Sequence, residues 1–238
     1  MTEATAFRQI PRPDPAELKI LRGIPAADLH DEMSPVEQRL QLMHHSMRPV
    51  LPSKRFFGPA VTAYCMPGDN LMMHAALFVA QPGDVLIVSN GGVAHGALWG
   101  GNATRQAVRK GLAALVADGP IRDIAQIRNS DFGVWSTSIA IGRPSKSMPG
   151  TLNVPVMCAG VLVHPGDIIV GDEDAVIVLA PAQVQSLAAA ARARIERDER
   201  TQVAIAGGAT LFERLGGEDA MRKLGLDMVD GTWRDRGS

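Results

Sequence analysis

Two cysteines in 238 residues, Cys65 and Cys158, leave little room for a disulfide framework. Both sit in apolar runs, VTAYCM and VPVMCAGV, and no C-x-x-C spacing occurs. They read as reduced core thiols of a cytoplasmic protein, and a zinc site is not expected. Excess charge is missing too. The formal net charge is -1, which gives no electrostatic footing for nucleic acid or an anionic membrane as partner. No apolar run approaches the length of a membrane span, and the Pro-rich opening MTEATAFRQIPRPDP lacks the apolar centre of a signal peptide. Neither G-x-G-x-x-G nor a G-K-S/T loop is present, so nucleotide binding and a methyltransferase reading find no support.

What is present is the composition of an ordinary globular chain, 46% hydrophobic and 21% charged, enough to bury a full core as one domain. Residues 1–50 read as a helical lead, with Ser34 placed to cap a helix that starts at Pro35. Residues 55–180 read as an α/β core. Strand 57–66, helix 71–80, strand 85–88, helix 97–110 and strand 113–117 alternate, which predicts a largely parallel sheet covered on both faces. Pro-Gly-Asp recurs before apolar strands at 82–84 and 165–167 and reads as a repeated tight turn. Residues 181–238 read as C-terminal helices. The first of them is long, opens at Pro181, is densely charged over 192–200 and stops at Gly207-Gly208.

The chemistry concentrates at strand ends. Strand 113–117 is expected to stop at Asp118-Gly119-Pro120, because proline has no amide hydrogen to give a ladder. Arg122 and Asp123 then stand at a carboxyl strand end, where open α/β sheets bind ligands. Solvated residues at a helix start would look the same. A second loop, NGGVAHGALWGG (90–101), reaches the same end of the sheet and could offer backbone amides to an anion. Together the loops suggest Arg122 as a bidentate clamp and Asp123 as an oxygen ligand for Mg²⁺ or Mn²⁺. Such a site can stabilise the enolate of a 2-oxo acid. His95, in the glycine loop, is a candidate acid or base. His74 reads as a core or interface residue, and the pair His44-His45 lacks a third ligand at metal spacing.

The ordered runs FFGPAVTA, PGDN with His74 after it, PGDVLIV, ALWG, DGPIRD and VPVMCAGVLVHPGDIIVGDEDAVIVL resemble class II 4-hydroxy-4-methyl-2-oxoglutarate/4-carboxy-4-hydroxy-2-oxoadipate aldolases and the related RraA-like ribonuclease regulators. The resemblance covers roughly residues 20 to 215. It implies an α/β/α sandwich of the RraA-like type, assembled as homotrimers or homohexamers with sites between subunits. It assigns Arg122 to the pyruvate part and Asp123 to the metal. Amides around His95, Gly96, Ala97 and Leu98 would cradle the pyruvate carboxylate, and Lys146 in RPSKSMPG would meet the distal carboxylate. Glu199, with Glu196 and Asp198 near it, best matches the helix glutamate that reaches a neighbour's metal waters. The chain departs from the pattern at Gly101, where the aldolases usually carry an acidic residue, and at Gly171–Ala175, where GDEDA stands for GDDDG.

The resulting expectation is a metal-dependent lyase that cleaves a 4-hydroxy-2-oxo di- or tricarboxylic acid to pyruvate and also decarboxylates oxaloacetate. The alternatives are a non-catalytic regulator that inhibits a ribonuclease, and a lyase or hydrolase of altered substrate. The expected partners are a small 2-oxo acid and further copies of the chain.

Overall fold

The computed structural model describes residues 6–235. Three short helices come first, α1 (Pro15–Leu18), α2 (Ala26–Asp31) and α3 (Pro35–Gln41). Ser34 and Glu37 form a reciprocal capping box at the start of α3, and Pro35 takes the first helical position. The sheet strands are β1 (Arg48–Pro49), β2 (Phe56–Tyr64), β3 (Val85–Ser89), β4 (Ala114–Ile121), β5 (Gly133–Ile139) and β6 (Thr151–Leu152). They are followed by β7 (Val156–Cys158), β8 (Val161–Val163), β9 (Ile168–Gly171) and β10 (Val176–Leu179). Helices α4 (Leu71–Val79), α5 (Gly101–Lys110) and α6 (Ile124–Arg128) connect β2 to β5. Those four strands pair in parallel, and the sheet order is β1-β5-β4-β3-β2-β9-β10, with β6 also on β2.

The central strands β2, β3 and β4 are largely apolar because both faces are covered. On one face Met73, Ala76 and Leu77 of α4, Ala107 of α5 and Ile127 of α6 pack on Leu86, Val88, Leu115 and Val134. On the other, the β7–β8 hairpin packs Val156, Cys158 and Val163 against Ile87, Val116 and Trp135. Cys65 and Cys158 are both free and buried, and burial pushes the Cys65 thiol up to about 12. The expected mixed α/β architecture is therefore present, with a hairpin sharing the cover of the second face.

Three boundaries differ from the sequence reading. Strand β4 runs through Pro120 to Ile121. A bulge between Ala117 and Pro120 shifts the β4–β5 register, and Gly119 takes a φ of 148° there. Thr137 Oγ1 accepts from the Gly119 amide, and Pro120 contributes its carbonyl, which accepts from Leu98 N at 2.7 Å. The ladder is broken at the bulge and resumes at Pro120, with the Gly119 amide satisfied by a side chain. Helix α5 starts at Gly101 and not at Ala97, since residues 97–100 are drawn out along the end of β4, where Arg122 N donates to Trp99 O at 3.0 Å. The sequence offers the apolar piece 139–141 as a strand, but strand β5 is GVWSTSI (Gly133–Ile139), whose Ser-Thr-Ser polar run hides all but its last residue from an apolar-run reading, while Ala140 and Ile141 lie beyond it.

The segment before α1 is stitched across the sheet. Phe7 N donates to Leu152 O, Asn153 Nδ2 donates to Phe7 O, and Arg12 pairs with the buried Asp84 at 2.8 Å. The chain divides into two compact units, Met1–Ala191 and Arg192–Ser238. Helix α7 (Val184–Ala206) begins in the first and ends in the second. The second unit also holds α8 (Leu211–Arg214), boxed by Thr210 and Glu213, and α9 (Gly217–Lys223). Among the described residues no helix is long and apolar enough to cross a membrane.

Gly58, in the FGP run near the start of β2, is required by a close backbone approach. A Cβ there would overlap the backbone oxygen of Gly83 in the Pro-Gly-Asp turn, and neither backbone can yield cheaply. Gly58→Ala is expected to cost more than about 2 kcal/mol of stability through overpacking, read as a shift in the urea midpoint.

Candidate active site

The carboxyl end of β4, the segment before α5, the first turns of α4 and α5 and the loop at 143–146 enclose a cavity of about 430 Å³. Arg122 and Asp123 are on its wall, as expected of a ligand site at a strand end. Their side chains are 39% and 36% exposed, so both are reachable, and Arg122 Nε lies 3.8 Å from Asp123 Oδ2.

Asp123 has an unusual backbone. It holds φ 61° and ψ 39°, a left-handed conformation that costs a non-glycine residue of the order of 1 kcal/mol or more. That conformation turns the carboxylate back onto α5, where Oδ2 accepts from the Gly101 amide at 2.9 Å. Gly100 has to be small, because a Cβ there would sit 2.7 Å from the same Oδ2. Gly101 is filled from outside: the space a side chain would take is occupied by the Gln126 amide, whose Cδ lies 2.9 Å from the ideal Cβ position. Arg105 Nη2 donates to Gln126 Oε1 and holds it there. The acidic residue expected at 101 from the resemblance is therefore replaced by a neutral amide that comes from α6.

The rest of the cavity is cationic. Lys146 lines it, and so does Arg143, which the sequence reading did not single out; with Arg122 they share the wall with one carboxylate among the described residues, Asp123. The loop that carries Arg143 and Lys146 is anchored by Asp69 of the Pro-Gly-Asp-Asn turn, a carboxylate 1% exposed. Burial works against its ionised form, but donors from Ser145 Oγ and the amides of Leu71, Ser147 and Met148 outweigh it and lower its pKa to about 2. His74 is on the cavity wall, exposed at the start of α4 and not in the core, which corrects the core half of the sequence expectation. Its partial burial and the charge of Lys146 lower its pKa, with Asp69 opposing, which favours the neutral imidazole.

The predicted anion cradle is also corrected. Of His95, Gly96, Ala97 and Leu98, only Ala97 lines the cavity. The Ala97 amide donates to Gly142 O, the Leu98 amide to Pro120 O, and Leu98 is fully buried. Gly96 packs on Gly68, where a Cβ would meet the Gly68 Cα at 2.7 Å, and His95 leans on the same glycine. The amides suited to an anion are instead those of Asn102 and Ala103, in the first turn of α5, which lack acceptors within the helix and line the cavity. Trp99 is a packing residue, with Nε1 on Thr104 Oγ1 and its ring stacked on Phe132.

Glu199 lies exposed on α7 in the second unit, as does Glu196, and Asp198 pairs with Arg194. The GDEDA run is structural: Asp172 is buried at the β9–β10 turn and accepts from the amides of Ala26, Asp174 and Ala175. Among the described residues no three His, Cys, Asp or Glu side chains converge on a metal position. Asp123 fits a different kind of ion site. Its Oδ1 has no hydrogen-bond partner among the described residues, and one exposed carboxylate oxygen suits a hard cation that keeps most of its water.

A family model described as Aldolase/RraA (RraA-like) matches residues 26–178. The chain belongs to that family. It is 32% identical over 184 residues to a protein of Halalkalibacterium halodurans named "Putative 4-hydroxy-4-methyl-2-oxoglutarate aldolase", covering 77% of this chain and 86% of that one. Streptomyces coelicolor RraAS2, described as an unusual member of the RNase ES inhibitor RraA protein family, superposes with a TM-score of 0.75 at 29% identity. That match covers 82% of this chain and 99% of RraAS2. The RNA-processing inhibitor RraA of Thermus thermophilis superposes at 0.55 with 31% identity, over 59% of this chain and 84% of that one. The family thus includes proteins named for catalysis and proteins named for inhibition.

Two outcomes test this geometry. The contribution of Asp69 is present above its unfolded pKa near 4 and is lost as pH falls through its folded value of about 2. Asp69→Asn removes an acceptor that four donors share and is expected to free the 143–148 loop already at pH 7, read as faster amide exchange at Ser147 and Met148. Gly101→Ala is expected to lower stability by about 1–3 kcal/mol in thermal unfolding, and Gln126→Ala in the same chain to restore most of it.

Proposed function

We propose that this family member cleaves a 4-hydroxy-2-oxo acid with a distal carboxylate, such as 4-hydroxy-4-methyl-2-oxoglutarate, and releases pyruvate. The observation that carries the reading is the joint presence of Arg122 and Asp123 in one cavity with first-turn α5 amides and the cationic pair Arg143 and Lys146. The aldolase names of relatives at 32–35% identity support it.

In this reading the α5 amides and the Arg122 guanidinium hold the carboxylate and 2-oxo oxygen of the substrate, and Lys146 and Arg143 hold the distal carboxylate. Asp123 would hold a hydrated Mg²⁺ or Mn²⁺ through Oδ1, and the ion, when bound, polarises the 2-oxo group. A water or hydroxide removes the proton of the C4 hydroxyl. The C3–C4 bond then breaks, C4 becomes a carbonyl, and the electron pair enters the 2-oxo system as an enolate whose charge faces Arg122. Protonation at C3 gives pyruvate. The same enolate forms when oxaloacetate loses CO₂, so decarboxylation is an expected side activity. A homotrimer or homohexamer would bring Glu199 of a neighbour to the ion's waters.

Pyruvate release from 4-hydroxy-4-methyl-2-oxoglutarate is expected to need Mg²⁺, to stop with EDTA, and to fall at least about 100-fold in Arg122→Ala and in Asp123→Ala. Lys146→Ala is expected to raise KM for this substrate more than for oxaloacetate. A folded protein that releases no pyruvate from either substrate would overturn the reading and favour an inhibitor like the RraA proteins it resembles.

A further inference from the structure

Behind the β4–α6 turn lies a second cavity, about 340 Å³ in volume, between β1, the end of β5 and α6. The turn separates the two spaces residue by residue: Ile121 and Ile124 line this second cavity, while Arg122 and Asp123, between them, line the first. Two guanidiniums border it, Arg48 from β1 and Arg128 from the last turn of α6, and among the described residues no Asp or Glu does. Arg48 spends one donor on the backbone oxygen of Asp174 at 3.3 Å, and Arg128 makes no ion pair among the described residues. A guanidinium has five donors in a fixed fork, so most of their capacity is unused.

The floor is polar at one point. Ser138 Oγ is buried and has no hydrogen-bond partner. The neighbouring hydroxyls are committed: Ser136 Oγ bonds the backbone oxygens of Gly119 and Ser138, and Thr137 Oγ1 accepts from Gly119 N and reaches Asp118 Oδ1 at 3.4 Å. The Asp118 carboxylate is itself spent, with Ala159 N on its Oδ2, so it is not a rival for the arginines. The walls between these groups are apolar, formed by Ile121, Ile124 and Ile139. Two arginines at the rim, a lone hydroxyl at the floor and isoleucines between them match one ligand chemistry.

We propose that this cavity binds a small organic oxyanion, a carboxylate or phosphate carried on an apolar body of about the size of one ring. The oxyanion bridges Arg48 and Arg128, and the apolar body lies on Ile121 and Ile124. The site is separate from the Arg122 cavity and does not depend on the lyase reading.

Isothermal titration of the full chain with phenyl phosphate, benzoate and benzyl alcohol tests it, on wild type, Arg122→Gln, Arg128→Gln and the double variant Arg48→Gln/Arg128→Gln. At least one anion is expected to bind wild type and Arg122→Gln with the same affinity, and the neutral alcohol at least tenfold more weakly. Arg128→Gln, an exposed change that the fold tolerates, is expected to weaken anion binding at least threefold, and the double variant at least tenfold. Which anion binds tells carboxylate from phosphate. No binding of either anion, equal binding of the alcohol, loss in Arg122→Gln, or full affinity in Arg128→Gln would each overturn the proposal.

Discussion

The bond from the Gly101 amide to the Asp123 carboxylate is the contact on which the candidate site depends. It can form only because Asp123 accepts a left-handed backbone and because Gly100 has no side chain in the way. In return it ties the start of α5 to the start of α6, so the first-turn amides of one helix and the cationic arginine before the other are fixed to a common point. Local strain held in place by surrounding structure is a recurring mark of functional turns. Here the surrounding structure is visible: the β4 bulge, the Leu98–Pro120 bond and the Arg122–Trp99 bond all hold the same few residues.

A second carboxylate organises the other side of the cavity. Asp69 does no chemistry in the proposed reaction, yet four donors gather on it and bring Arg143 and Lys146 into the space that Arg122 already faces. The cavity is therefore assembled by two acids with opposite uses. One is buried and saturated with donors, and so serves as a fastener. The other is exposed, keeps an oxygen unpartnered, and so can meet a cation.

Much of this was legible in the sequence, for identifiable reasons. The alternation of β2, α4, β3, α5 and β4 shows because parallel strands buried on both faces are largely apolar runs, and the Ser34 cap follows from hydroxyl chemistry at a helix start. Arg122 and Asp123 stand out in the sequence as charged residues at a strand end, Lys146 comes only from the family resemblance, and the fold brings all three to one cavity. The continuation of β4 through Pro120 was not legible, since a rule about local hydrogen bonds cannot see Thr137 arriving from β5 to take the Gly119 amide. Nor could the sequence show that the amides of Ala97 and Leu98 are already committed, or that His74 turns outward, because those are tertiary facts. Gly101 looked like a loss from the family pattern. Its replacement by the Gln126 amide needed coordinates, because residues 25 apart in sequence meet there.

The Arg12–Asp84 pair separates two boundaries that are often taken as one. The region shared with the family begins at Ala26, yet Asp84, deep in that region and 1% exposed, has its charge answered by a guanidinium fourteen positions before it starts, with Gln81 N as its other donor. The stretch that relatives hold in common is thus not the stretch that closes its own electrostatics. Homology marks what has been inherited together, whereas the buried carboxylate marks what has to fold together, and in this chain what folds together reaches further toward the N-terminus than what the family model matches.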